Sequence, residues 1–159
     1  MTQSYRSLLA SPIGWLSIEA NDQAITRIEF LDAAALPEPN ASDLTQTAKT
    51  QLQQYFAGQR HQFDLPLAPT GSEFQQRCWQ ALHAIPYGET RSYADQALAI
   101  QQPQSVRAVG RANGANPVAI VVPCHRVIGK NGRLTGYAAG LDRKSWLLEH
   151  EVLYAGATK

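Results

Sequence analysis

Between Tyr5 and Phe30 the apolar positions recur with a period of two, the signature of half-buried strands. Three runs carry it: Tyr5 to Leu9, Gly14 to Ala20 and Ala24 to Phe30. Ser11-Pro12 and Asn21-Asp22 separate them as turns. In the second run Leu16, Ile18 and Ala20 share one face against Trp15, Ser17 and Glu19. The pattern predicts an antiparallel meander. After the loop Pro37-Glu38-Pro39-Asn40 the period lengthens. Leu44, Ala48, Leu52, Tyr55 and Phe56 fall on one helical face, with Ser42 or Asp43 as the cap and Gly58 as the stop. This helix is expected to cover the sheet. Ordinary packing accounts for residues 1–70, and no chemistry is read there.

Residues 65–71 hold two prolines and a glycine and read as a linker. Ser72-x-x-Gln75 then forms a capping box. Phe74, Cys78, Ala81, Leu82 and Ile85 follow on one face, and Pro86-Tyr87-Gly88 ends the helix. Cys78 lies in the apolar stripe and reads as an inert core residue. Two short helices, Ser92 to Ile100 and Ser105 to Ala112, can form a helix-turn-helix. The second carries Arg107 and Arg111 one turn apart, among the small residues Ala108, Gly110, Ala112 and Gly114. Such a face can approach a phosphate backbone. It can equally pack on a neighbouring helix with its arginines solvated. The expected division is an N-terminal domain, residues 1–70, and a C-terminal domain, residues 71–159.

Composition narrows the classes. Of the 159 residues 44% are hydrophobic and 17% charged, which suits a folded protein and excludes a disordered one. No signal peptide and no apolar run of membrane-spanning length is visible, so a cytoplasmic protein without a membrane partner is expected. The net charge of +1 conceals an asymmetry. Residues 1–71 hold four basic and seven acidic side chains, and residues 72–159 hold ten and six. Any nucleic-acid contact therefore belongs to the second half. His61, His83, His125 and His150 are scattered, and the two cysteines, Cys78 and Cys124, form no Cys-x-x-Cys pair. Neither a metal nor another cofactor is expected.

Chemistry concentrates after Asn116-Pro117. Val118 to Val122 is a continuous apolar run, read as a buried strand or extended segment, and it leads into Pro123-Cys124-His125-Arg126. A cysteine reacts as its thiolate and needs a device that removes its proton near neutrality. His125 is the obvious base. Adjacent residues in an extended chain point opposite ways, so a bend or a bridging water is required. Arg126 either adds positive potential or anchors the loop. A base histidine needs an orienting acid. Glu149, Glu151, Asp142 and Asp95 are available, the first two near the end of a C-terminal helix expected at about Arg143 to His150.

The segment Arg107-Ala-Val-Gly…Asn113-Gly-Ala-Asn116-Pro…Pro123-Cys124-His125-Arg126-Val127-Ile-Gly resembles the active-site region of the O6-alkylguanine-DNA alkyltransferases. Phe74-Gln-x-x-x-Trp79, Ile85-Pro-Tyr-Gly-Glu-Thr-x-Ser92-Tyr93, Gly136-Tyr137-x-x-Gly140 and Lys144-x-x-Leu-Leu fit as well. The likeness is close over residues 72–151 and looser before them. It implies an α+β protein: a small ribonuclease-H-like antiparallel sheet with a covering helix, then a mostly helical, winged-helix-like domain with a helix-turn-helix. It implies irreversible, single-use transfer of an alkyl group from O6-alkylguanine, and often O4-alkylthymine, to Cys124. His125 then matches the base acting through a water, Glu151 its orienting acid, and Asn116 the brace of the active-site turn. Arg107 matches the residue that replaces the flipped nucleotide, and Tyr93 the tyrosine that helps rotate it. Ala108 and Arg111 belong to the DNA-facing helix. Val127, Tyr137, Ala138 and Trp79 match the substrate pocket. The implied partner is double-stranded DNA held through its minor groove by a monomer, with cooperativity left open and association with the nucleoid in a bacterium.

Ala138-Ala139-Gly140 stands where many relatives have Ser or Gly before Gly-Gly. The Ala138 N–H can still donate to O6, and the extra methyl of Ala139 narrows the pocket for bulky adducts. The zinc ligands of some relatives have no counterparts. Alkyltransferase-like proteins that bind lesions without transfer lack the cysteine that is present here. A cysteine hydrolase would leave Arg107, Asn116 and Tyr137 unexplained.

Overall fold

The computed structural model describes residues 3–156. Strands β1 (Tyr5–Ser11), β2 (Gly14–Ala20) and β3 (Ile25–Leu31) form the expected antiparallel meander in the order β1-β2-β3. Leu9 pairs with Leu16, and Ile18 with Ile28, so the apolar faces of all three strands coincide. Helix α1 (Asp43–Phe56) covers that face. Ser42 is its cap, in a capping box closed by Thr45. Its stop is Gly58 at φ 77°, where a side chain would collide with the Tyr154 ring at 2.3 Å.

Residues 65–71 are not a free linker. Ile25 donates to the Pro66 carbonyl and accepts from the Ala68 N–H, both at 2.8 Å, so this segment adds a short parallel bridge beside β3. The backbone groups of β3 needed partners, and the nearby extended chain supplies them.

Helix α2 (Glu73–His83) starts at the expected capping box of Ser72 and Gln75. Helices α3 (Tyr93–Ala99) and α4 (Val106–Gly114) form the helix-turn-helix. An amide pair buried between them locks the motif: Gln96 and Asn113 exchange hydrogen bonds of 2.9 and 2.7 Å, and Gln96 also donates to the Cys78 carbonyl at 3.1 Å. The strands β4 (Arg91–Ser92) and β5 (Val127–Ile128) pair in parallel beside it. Helix α5 (Leu141–Tyr154) closes the chain. It runs past the expected end at His150, so Glu151 sits within its final turn.

One apolar cluster joins both halves, from Leu9 and Leu16 through Leu52 and Tyr55 to Val109, Val122 and Leu147. No helix of the described residues is long and apolar enough to cross a membrane.

Candidate active site and nucleic-acid interface

The run Val118 to Val122 is buried but is not a strand. It is a compact turn, and the reason is local. The Val121 N–H bonds to the Ala119 carbonyl at 2.8 Å across Ile120, which stands at φ 71°. This is a three-residue turn of the strained, positive-φ kind, costly for a β-branched side chain. A second tight turn follows, with Cys124 N–H to Val122 O at 2.8 Å across Pro123 (φ −84°, ψ 63°). Apolar content reports burial, not extension, so the hydrophobic pattern could not separate the two.

Two devices hold the turn. Asn116 donates from Nδ2 to the Val122 carbonyl at 2.8 Å and accepts from the Val118 N–H at 3.0 Å. Strand β3 grips the other side: Ile28 donates to Pro117 O and accepts from Ala119 N–H, both at 2.9 Å. The turn delivers Cys124, His125 and Arg126 as a short 3-10 segment. The opposed geometry of an extended chain therefore does not apply.

Glu151 is the hub behind this segment. Its carboxylate is 1% exposed and accepts from His125 Nε2 at 2.6 Å, Arg126 Nε at 2.7 Å, Arg126 Nη2 at 3.1 Å and the Tyr55 hydroxyl at 2.7 Å. Of the four acids read as possible orienters, Glu151 is the one in contact with His125. Burial alone would raise its pKa, but His125 and Arg126 outweigh it and hold the carboxyl well below the ordinary range. Arg126 is the loop anchor: it is buried and also donates to Ile85 O at 2.8 Å.

An ionised carboxylate can only accept, so the proton of neutral His125 sits on Nε2. Nδ1 is left as the basic nitrogen, and it is buried with no hydrogen-bond partner in the structure. Burial lowers the His125 pKa despite the pull of Glu151, so the ring is neutral near pH 7 and able to take a proton. Burial raises the pKa of Cys124, while Asn116 and Lys144 pull the other way. The resting group is a thiol, and its activation needs a base.

Lys144 carries a role that was not read from the sequence. Its side chain is fully buried, and Nζ donates to Thr135 O at 2.6 Å and Gly136 O at 3.2 Å. Burial lowers its pKa to about 8, and its charge acts on Cys124. Tyr93 donates to the same Thr135 carbonyl at 3.0 Å. Tyr55 is the second omission. It belongs to α1, in the half where packing seemed a sufficient account, and burial with the neighbouring Glu151 pushes its hydroxyl pKa well up. Its signal in the sequence was weak: a tyrosine on an apolar face, whose buried hydroxyl must find a partner.

A cavity of about 430 Å³ opens on Cys124. Tyr137 and Ala138 line it, with Asn116, Ala139, Arg143 and the β3 residues Ile28 and Phe30. The Tyr137 hydroxyl is buried without a hydrogen-bond partner in the structure. Trp79 and Val127 are not on this wall. Trp79 is buried between helices, donating from Nε1 to Ala112 O at 2.8 Å, and Val127 is fully buried in β5. Among the described residues no group of three or more His, Cys, Asp or Glu could hold a metal ion.

On α4, Arg107 and Arg111 are both exposed, and neither side chain makes a hydrogen bond or ion pair among the described residues. Ala108 lies between them, partly exposed, and a Cβ at Gly110 would stand 3.9 Å from the Tyr93 ring. The surface is cationic, with small residues between the charges.

The chain is similar to known proteins over both of its halves. Residues 73–153 match the family described as 6-O-methylguanine DNA methyltransferase, DNA binding domain. Residues 4–69 match its ribonuclease-like domain. A methylated-DNA–protein-cysteine methyltransferase of Methanosarcina barkeri is 45% identical over 92% of this chain and 96% of its own length. One from Mycolicibacterium paratuberculosis is 49% identical over 93% and 92%. Among solved structures, the O6-methylguanine methyltransferase of Mycobacterium tuberculosis superposes with a TM-score of 0.87 at 45% identity, over 98% of this chain and 97% of that one. A structure of OGT from the same organism in complex with DNA gives 0.85 at 47%, covering 92% of each chain.

Proposed function

The chain belongs to the 6-O-methylguanine DNA methyltransferase family, and from that premise we propose that Cys124 is the acceptor of a single-use DNA repair reaction carried out by the residues described above. The substrate is O6-alkylguanine in double-stranded DNA, with O4-alkylthymine as a second lesion. The observation that carries the assignment is the buried relay behind Cys124: a neutral His125 whose Nδ1 is free to accept a proton and whose Nε2–H is fixed by Glu151.

The transfer balances as follows. The Cys124 sulfur attacks the alkyl carbon, a C–S bond forms, and the bond from that carbon to O6 breaks. The thiol proton passes to His125 Nδ1 through a water. His125 returns that proton through solvent to the departing base, which leaves as ordinary guanine, and the ring is neutral again. The Ala138 N–H and the Tyr137 hydroxyl, from two residues that line the cavity, donate to the departing base. Burial keeps Tyr137 protonated and therefore a donor. The product is a thioether, which no group in the site can cleave, so each molecule works once.

A base in a duplex hides its O6 substituent and must be rotated out, at about a few kcal/mol. Arg107 fills the gap, Tyr93 helps turn the nucleotide, and Ala108 and Arg111 let α4 lie close to the backbone. The exposed, unpaired arginines support this role. Entry is through the minor groove, where sequence is read poorly. That suits a protein that must act on any sequence. The protein acts as a monomer, with residues 1–70 and 71–159 as its two domains. The test is stoichiometry: methylated duplex in excess should release one repaired guanine per protein molecule and then stop. Continued turnover would refute the proposal.

A further inference from the structure

Arg143, in the first turn of α5, ties three parts of the molecule together. Its Nε donates to the Ile13 carbonyl in the β1–β2 turn at 2.7 Å, and its Nη1 donates to the Ala139 carbonyl at 3.1 Å. Its guanidinium lies 4.5 Å from the centre of the Phe30 ring on β3. The turn is built to receive it: a Cβ at Gly14 would stand 2.7 Å from Nη2.

The next residue, Lys144, holds the carbonyls of Thr135 and Gly136. The two cations thus fasten the loop on either side of Tyr137 and Ala138, the stretch that walls the cavity at Cys124. Lys144 fastens it within the C-terminal half. Arg143 fastens it to the N-terminal sheet, and itself lines the cavity with Phe30 and Ala139.

We propose that Arg143 is a positioning residue that sets the size of alkyl group the pocket accepts, by tethering the Tyr137–Ala139 wall to the N-terminal sheet. The N-terminal half thereby determines substrate range without touching the reacting atoms. The inference rests on the alkyl-transfer reading above. The anchored carbonyls of Thr135 and Gly136 on one side and Ala139 on the other keep the wall close to Cys124, which favours a methyl group. Cutting the tether lets the wall retreat and admits an aromatic adduct, while the loosened wall holds a methyl group less well.

The experiment uses the whole chain and duplex oligonucleotides carrying one O6-methylguanine or one O6-benzylguanine. Single-turnover rates are measured for wild type, Arg143→Ala and Arg143→Met. Methionine keeps most of the aliphatic stem and removes both hydrogen bonds, so it separates tethering from cavity volume and carries the test if the alanine variant fails to fold. The benzyl-to-methyl rate ratio should rise about 10-fold in both variants, the scale on which pocket fit discriminates neighbouring substrates. A ratio unchanged in Arg143→Met, with both rates falling together, would overturn the inference and leave the alkyl-transfer reading intact. A wild-type protein that transfers no methyl group would instead remove that reading, and this inference with it.

Discussion

Behind Cys124, the Glu151 carboxylate is enclosed by Tyr55, His125 and Arg126. On α4, some residues earlier in the chain, Arg107 and Arg111 stand in solvent with no partner among the described residues. The two regions handle charge in opposite ways. In the first, ionised and polar groups are removed from water and compensate one another, which fixes their geometry and makes any single deletion costly. In the second, charge is left solvated and mobile, with no internal partner to displace. A proton relay needs its groups in place before the substrate arrives. A DNA-facing surface needs cations that a phosphate can claim without breaking an existing bond. Changes in the first region should therefore affect chemistry and folding together, and changes in the second should affect binding alone.

Four substitutions and a titration sharpen that contrast, in falling order of effect. Cys124→Ser should abolish transfer and leave binding to methylated duplex unchanged in a gel-shift assay, because only the nucleophile is lost. His125→Ala should slow single-turnover transfer by about 100-fold or more, the usual contribution of a positioned base. Glu151→Gln leaves Arg126 buried without its counter-charge. It should lower unfolding stability by about 3–5 kcal/mol in urea titration as well as slowing transfer. A variant with full stability and slow transfer would show that the hub serves catalysis alone. Arg107→Ala should do the reverse. It should weaken duplex binding, reduce the salt slope of log K by about 1, and leave stability and transfer from the free base O6-benzylguanine unchanged. Equal losses on duplex and free base would remove its flipping role.

Acid should find the buried region first. The folded pKa of His125 lies below its ordinary value of 6.5, so below that pH the unfolded chain binds more protons and stability falls. Glu151 acts with the same sign. Its folded pKa lies below its ordinary value of 4.5, so its contribution is complete above that pH and is lost as pH falls further. Denaturant midpoints should decline gently below about pH 6.5 and more steeply below about pH 4.5. The steep part should vanish in Glu151→Gln, and Arg107→Ala should leave the whole profile unmoved.

The same contrast explains what the sequence could tell. The meander, α1, a cap at Ser42 or Asp43 and the capping box at Ser72 announce themselves through local periodicity and caps, whereas the two short helices after Ser92 could be only one of several kinds of helix pair. Arg107 and Arg111 were visible as a pair because one helix carries both. The buried site was legible only in part. His125 and Glu151 meet across 25 intervening residues and Tyr55 joins them from α1, and no local pattern encodes such a meeting. Val118 to Val122 misled for the opposite reason: its composition was clear but its turns depend on Ile120 at positive φ and on the grip of Asn116 and Ile28. Trp79 was read into the pocket from resemblance, whereas its indole supports α4.

The central claim is that Cys124, and no other side chain, becomes covalently alkylated. The most direct test is to incubate the whole protein with an O6-methylguanine duplex and map the product by peptide mass spectrometry. One methyl group per molecule is expected, on the peptide containing Cys124, with Cys78 unmodified. A repaired duplex with unmodified Cys124, or methyl groups on another residue, would contradict it.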